Sequence, residues 1–70
     1  MKLSARNVLP GTVTEIITGA VTSHVRIDLG GGSSITASIT NEAVKELDLK
    51  VGASASAVIK ASDVMVGVND

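Results

Sequence analysis

The chain has no cysteine, phenylalanine, tryptophan or tyrosine, and it carries a single proline and a single histidine. Each absence closes a route. Without cysteine, neither a disulfide nor a thiolate cluster can staple a small scaffold. One histidine without a paired ligand motif gives structural zinc nothing to draw on, and no free metal cation is expected. A single-strand nucleic-acid binder combines a basic groove with aromatic stacking platforms. This chain has no ring to stack and a net charge of −1, so no global field draws nucleic acid or an anionic membrane. No eighteen apolar residues run together, so no segment reads as a membrane-spanning helix. The chain opens Met1, Lys2, Leu3 and turns polar at Ser4, Arg6 and Asn7, which is not the apolar stretch of a secretory signal. A cytoplasmic setting is expected, and the lack of cysteine fits it.

What is there is small and apolar. Seventy residues make one domain over residues 1–70, without room for a linker and a second core. A chain this short hides only about 60% of its unfolded surface and usually needs reinforcement. Of its residues 44% are hydrophobic, but most of these are small Ala and Val and none carries a ring. Such side chains fill a thin barrel and not a deep monomeric core, so association of copies into a homo-oligomer is expected.

The pattern along the chain reads as β-structure with one interruption. Residues 5–9 form a first strand, Pro10 and Gly11 read as a turn, and residues 12–18 continue as a strand up to Gly19. Residues 20–29 follow, with Val25, Ile27 and Leu29 alternating against His24, Arg26 and Asp28. That is the period-two signature of a half-buried strand. Gly30, Gly31 and Gly32 make a hairpin loop, and residues 33–39 return. At Thr40 the pattern changes: its hydroxyl can cap a short helix, with Glu42 in the first turn and Ala43, Val44 and Leu47 at helical spacing. Residues 54–59 are a further strand and residues 64–68 a last short one. The expected class is all-β with one short helix, an OB-like five-stranded barrel.

Catalysis has little to work with. His24 stands alone on the polar side of its strand, and any nucleophile–base–carboxylate arrangement would have to start there. The carboxylates scatter over turns, helix and tail, a pattern of solvation rather than acid–base work. Gly30, Gly31 and Gly32 lack GxGxxG spacing, and no Walker lysine follows. The expectation is a protein that is not an enzyme. Donors are what the chain has: Ser4, Arg6 and Asn7 near the start, Thr40 and Asn41 at the helix entrance, and Lys60 and Ser62 after the fourth strand. Singly, each reads as an ordinary surface or capping residue. Together they are what an oxyanion site uses: N–H and O–H donors, one or two cations, and no carboxylate.

Ser4, Ala5, Arg6, Asn7; Gly11, Thr12, Val13; Gly19, Ala20, Val21; Ile39, Thr40; and the run from Val58 through Ile59, Lys60, Ala61, Ser62, Asp63 and Val64 to Met65 closely resemble the molbindin (Mop) family. The resemblance runs through essentially the whole chain in register. The same module occurs in molybdate-responsive repressors and in molybdate-transporter ATPase subunits, but neither a helix-turn-helix nor a Walker motif occurs in these 70 residues. The resemblance implies an OB-like barrel assembled as a hexamer, a trimer of dimers, holding molybdate or tungstate between subunits for intracellular storage or homeostasis. By the same resemblance the anion contacts are Ser4, Arg6, Thr40, Lys60, the backbone of Ala61 and the hydroxyl of Ser62. A second class of site near a three-fold axis would use Gly19, Ala20, Val21 and Thr22. Position 43, a serine in some members, is Ala43 here. A purely structural assembly module with degenerate anion sites shares the same fold-level pattern, and Ala43 favours it.

Overall fold

The computed structural model describes residues 2–69; Met1, used in the amino-terminal reading, lies outside them, as does Asp70. Four strands and two short helices follow one another: β1 (Asn7–Thr18), β2 (Thr22–Gly30), β3 (Ser33–Thr40), α1 (Asn41–Glu46), β4 (Ser54–Ile59) and a 3-10 turn, η1 (Ala61–Asp63). The sheet order is β3-β2-β1-β4, and all pairs are antiparallel. Mostly-β structure with one short α-helix is as the sequence pattern indicates.

Two expectations are corrected. Pro10 and Gly11 do not turn the chain: β1 runs unbroken from Asn7 to Thr18, with Pro10 opposite Ser56 and Gly11 opposite Ala55 on β4. Pairing with β2 begins only at Thr12, so at Pro10 that flank is an open edge, where a residue without an N–H is tolerated. Gly11 is needed for close approach, not for turning. A Cβ there would collide with the Asp28 carbonyl oxygen and sit 2.7 Å from Ile27 Cγ2. The second correction is that residues 64–68 form no strand in this chain. They follow η1 without a ladder partner among the described residues, Val64 itself being extended, and a strand needs a neighbour to pair with. Five strands were expected and four are present among the described residues.

The alternation on β2 holds. Ser23, Val25 and Ile27 are buried while His24, Arg26 and Asp28 face out. Val13, Val25, Ile27 and Ala57 make the buried core, and Ile16, Leu29, Ile35, Ile39, Val44, Leu49 and Ala55 pack around it. Each fully buried valine or isoleucine is worth about 1.5–3 kcal/mol, so the absence of rings leaves a thin core. At Thr14 the β1–β2 register slips by one residue, a bulge that bends β1 and curls the sheet. The outer strands β3 and β4 consequently face a common apolar cavity of about 590 Å³.

Helix α1 is short and well bounded. Thr40 is its N-cap, with Oγ1 accepting from the Ala43 N–H at 3.0 Å. At the other end the Leu49 N–H reaches the Val44 carbonyl and the Asp48 N–H reaches that of Lys45, both at 3.0 Å, with Asp48 at φ 51°. This is the Schellman arrangement, and the apolar pair Leu49 and Val44 accompanies it. The three-glycine hairpin has positive φ at Gly30, Gly31 and Gly32, and the Asp28 carboxylate accepts from the Gly30 N–H at 2.9 Å. It is a turn and not an anion loop.

Candidate functional site

The donors fall into two groups. The first gathers where β1 begins and β4 ends. Asn7 pairs with Ile59, and its side-chain amide also donates to the Ile59 carbonyl at 3.2 Å. Arg6 and Lys60 each lie one residue beyond this pair, so the strand ladder brings the two cations to the same end. Ser4, Arg6, Lys60, Ala61 and Ser62 are all exposed. Among the described residues the one ion pair is Lys50 with Asp48 at 3.6 Å, so neither Arg6 nor Lys60 is neutralised by a carboxylate there. Lys60 is the N-cap of η1 and makes no side-chain cap bond. The N–H groups of Ala61 and Ser62, in the first turn, therefore lack an acceptor within the helix. The two cations stand at this end of the ladder, and the Ser62 hydroxyl and the peptide N–H groups of Ala61 and Ser62 follow Lys60 directly, with the Asp63 carboxylate in the same turn; donors of this kind suit an oxyanion.

The second group lies at the other end of β1. Thr18 pairs with Ser23, and Thr22 pairs with Thr40, so Thr40 and the corner of Gly19, Ala20, Val21 and Thr22 share that end. The Thr40 hydroxyl already accepts from the Ala43 N–H. A hydroxyl that accepts one bond keeps its hydrogen to donate, so Thr40 can cap the helix and contact an anion at once. Ala43 enters through its backbone in this cap and needs no side-chain hydroxyl to do so.

The expected ligand set is thus not brought together within one copy. β1 has 12 residues, which at about 3.3 Å per step separates its ends by at most roughly 36 Å. Arg6 and Lys60 stand at one end and Thr40 at the other.

The corner itself is tightly built. The Gly19 N–H donates to the Thr22 carbonyl at 2.8 Å, and a Cβ on Gly19 would lie 2.8 Å from that oxygen. Asn41 ties the corner to α1. Its backbone N–H donates to the Val21 carbonyl at 2.8 Å, its side-chain amide to the Gly19 carbonyl at 2.9 Å, and its side-chain oxygen accepts from the buried Ser23 hydroxyl. Asn41, counted from the sequence among possible anion donors, is a clamp whose amide is already engaged. The phase of β2 held the clue: Ser23 shares the inward face of Val25 and Ile27, so its hydroxyl requires a buried partner. Val21 is 71% exposed. The N–H groups of Ala20 and Val21 form no backbone hydrogen bond among the described residues. His24 lies exposed on β2 opposite Ser38, and no group of three His, Cys, Asp or Glu side chains among the described residues could hold a metal ion.

Comparison with known proteins agrees with this architecture. The TOBE domain model matches residues 3–66. The "Probable molybdenum-pterin-binding protein" of Haemophilus influenzae is 53% identical over 68 residues, covering 97% of this chain and 99% of its own. A molybdate-bound crystal structure of the cytoplasmic molybdate-binding protein ModG superposes with a TM-score of 0.94 at 61% identity. That match covers 99% of this chain and 49% of ModG, so this chain spans about half of it. A molybdate-binding protein from Sporomusa ovata gives a TM-score of 0.90 at 38% identity, over 97% of this chain and all of the other. The chain belongs to the TOBE-domain family and, within it, to the molbindin (Mop) proteins.

Proposed function

We propose that this chain is a single Mop domain over residues 1–70 that binds molybdate or tungstate at sites shared between copies of a cytoplasmic homo-oligomer, a hexamer on the family pattern. The observation that carries the reading is the separation of its donors. Ser4, Arg6, Lys60, Ala61 and Ser62 form one half-site and Thr40 another, at opposite ends of β1, so a site that uses both draws them from different copies. The relatives named for molybdate, 38–61% identical to this chain, support the choice of ligand. Storage or homeostasis is the proposed role, and catalysis is not.

The chemistry favours this class of ligand. Molybdate and tungstate are tetrahedral dianions at neutral pH, and a cage of donors without carboxylates selects anions over cations. Sulfate has the same charge and shape with shorter bonds, so a rigid cage sized for molybdate leaves it out of reach of some donors. Phosphate is partly protonated and presents a donor to a site made of donors. The exposed corner of Gly19, Ala20, Val21 and Thr22, with the unengaged N–H groups of Ala20 and Val21, is the proposed second class of site, where backbone donors from several copies meet at an axis.

One specific residue favours a rival reading. Ala43 removes a hydroxyl that some members present, as an assembly module with degenerate sites would. Calorimetric titration of the purified protein with molybdate, tungstate and sulfate separates the two. Saturable heat with the first two and little with sulfate supports binding; equal weak heats for all three would establish the assembly module instead.

A further inference from the structure

Beside the glycine hairpin the outward face of the sheet carries a polar recess, and none of the proposed molybdate ligands lines it. Thr14, Arg26, Asp28, Gly32, Ser33 and Ser34 line a space of about 290 Å³ there, several times the roughly 30 Å³ that one water takes up in the liquid. Arg26 and Asp28 follow at period two on β2, so both side chains stand on the same exposed face. Two contacts hold the arginine. Its Nε donates to Ser34 Oγ on β3 at 3.3 Å, and its carbonyl accepts at 3.4 Å from the hydroxyl of Thr14, the unpaired residue of the β1 bulge. The outer nitrogens of the guanidinium are left over. Glu15 is opposite Arg26 in register and Asp28 stands two residues on, yet neither forms an ion pair with it among the described residues. Ser34 accepts one bond and keeps its hydrogen to donate. Asp28 is committed by one oxygen, which accepts from the Gly30 N–H at 2.9 Å. The recess thus offers several donors and one carboxylate acceptor.

That mixture reverses the selection argued for molybdate. Sulfate, molybdate and tungstate carry no proton at neutral pH, so each meets Asp28 as charge against charge. Inorganic phosphate keeps at least one O–H there. We propose that this recess is a separate anion site for free inorganic phosphate. The unprotonated phosphate oxygens take the Arg26 fork and the Ser34 hydroxyl, and the phosphate O–H donates to Asp28 in a charge-assisted bond. Arg26 supplies the attraction, and Asp28 demands a proton on the ligand. The donors are side chains, and the glycine turn contributes only a wall. The site stands whether or not molybdate binds at the positions proposed above.

The test is a titration of the intact protein, first saturated with molybdate, followed by nuclear magnetic resonance at the Arg26 Nε–H and the amides of Ser33 and Ser34. The probes are inorganic phosphate, sulfate and methyl phosphate at fixed ionic strength and mildly alkaline pH. A phosphate monoester has its second pKa at about 6, so all three are then dianions and inorganic phosphate alone carries an O–H. The expected result is a saturable shift at these residues with inorganic phosphate at about tenfold or more lower concentration than with the other two, the worth of one hydrogen bond to a charged group. Arg26→Gln should abolish it. Asp28→Asn keeps an oxygen for the Gly30 N–H and turns the free acceptor into a donor, so sulfate and methyl phosphate should then bind at least as well as inorganic phosphate. If Arg26→Gln does not fold, the selectivities of the parent and of Asp28→Asn decide. No saturable shift with inorganic phosphate at these residues overturns the proposal. So do equal midpoints for the three anions in the parent, or a phosphate preference that survives Asp28→Asn.

Discussion

The side-chain amide of Asn41 donates to the carbonyl of Gly19, 22 residues earlier, at 2.9 Å. The same side chain takes the hydroxyl of Ser23, which is 1% exposed. One residue thus fixes where β1 turns into β2 and where α1 begins, and it sets Thr40 beside that corner. Asn41→Ala leaves a buried hydroxyl without its acceptor and a corner carbonyl without its donor. The expected loss is about 1–3 kcal/mol of stability, read as a lower midpoint in denaturant unfolding. Asn41→Asp should also destabilise, since a carboxylate replaces the donor that faces the Gly19 carbonyl. Unchanged midpoints for both would show that the clamp contributes nothing to folding.

Gly11 lies where β1 packs tightly against the Ile27 and Asp28 segment of β2. Gly11→Ala forces a methyl onto the Asp28 carbonyl oxygen and Ile27 Cγ2, and backbone oxygen cannot move aside as a flexible side chain can. Overpacking of this kind costs about 1–3 kcal/mol, which thermal unfolding would register as a clear fall in melting temperature. A variant as stable as the parent would mean that β1 and β2 do not approach so closely in solution.

Thr40 serves two roles that substitution can separate. Thr40→Ala removes the bond from the Ala43 N–H, a loss of about 0.5–2 kcal/mol in stability, and it also removes a proposed anion donor. Thr40→Ser keeps both hydroxyl functions and should stay near the parent in melting temperature and molybdate affinity. If Thr40→Ala lowers stability and leaves molybdate affinity unchanged, Thr40 is a cap and nothing more.

Much of this was readable from residue order. The alternation from Val25 to Leu29, the glycine hairpin and the Thr40 cap are local patterns, and local patterns survive into the fold. Pro10 and Gly11 misled because their local meaning is a turn, whereas their actual setting is set by distant neighbours: the open flank beside Pro10 and the Asp28 backbone against Gly11. Residues 64–68 have strand composition without a strand partner in the chain, and composition does not say where a partner comes from. The candidate donors stand out in the sequence by residue type. Their division between opposite ends of β1 follows from strand pairing, which spacing along the chain does not contain.

The account turns on that division, and mixing two damaged chains tests it directly. Arg6→Ala or Lys60→Ala alone should weaken molybdate binding by about 1.5–3 kcal/mol per site, the range for hydrogen bonds to charged groups. Folding should be little changed, because both residues are exposed. Thr40→Ala should weaken the same sites from the other side. Lys60→Ala and Thr40→Ala chains, unfolded together and refolded into mixed oligomers, are then titrated with molybdate in the calorimeter. If each site joins Lys60 of one copy to Thr40 of another, some sites in the mixture receive both intact residues, and a fraction with parental affinity returns. A mixture that binds no better than its two components would place both residues in the same chain's site, or in no common site, and would contradict the account.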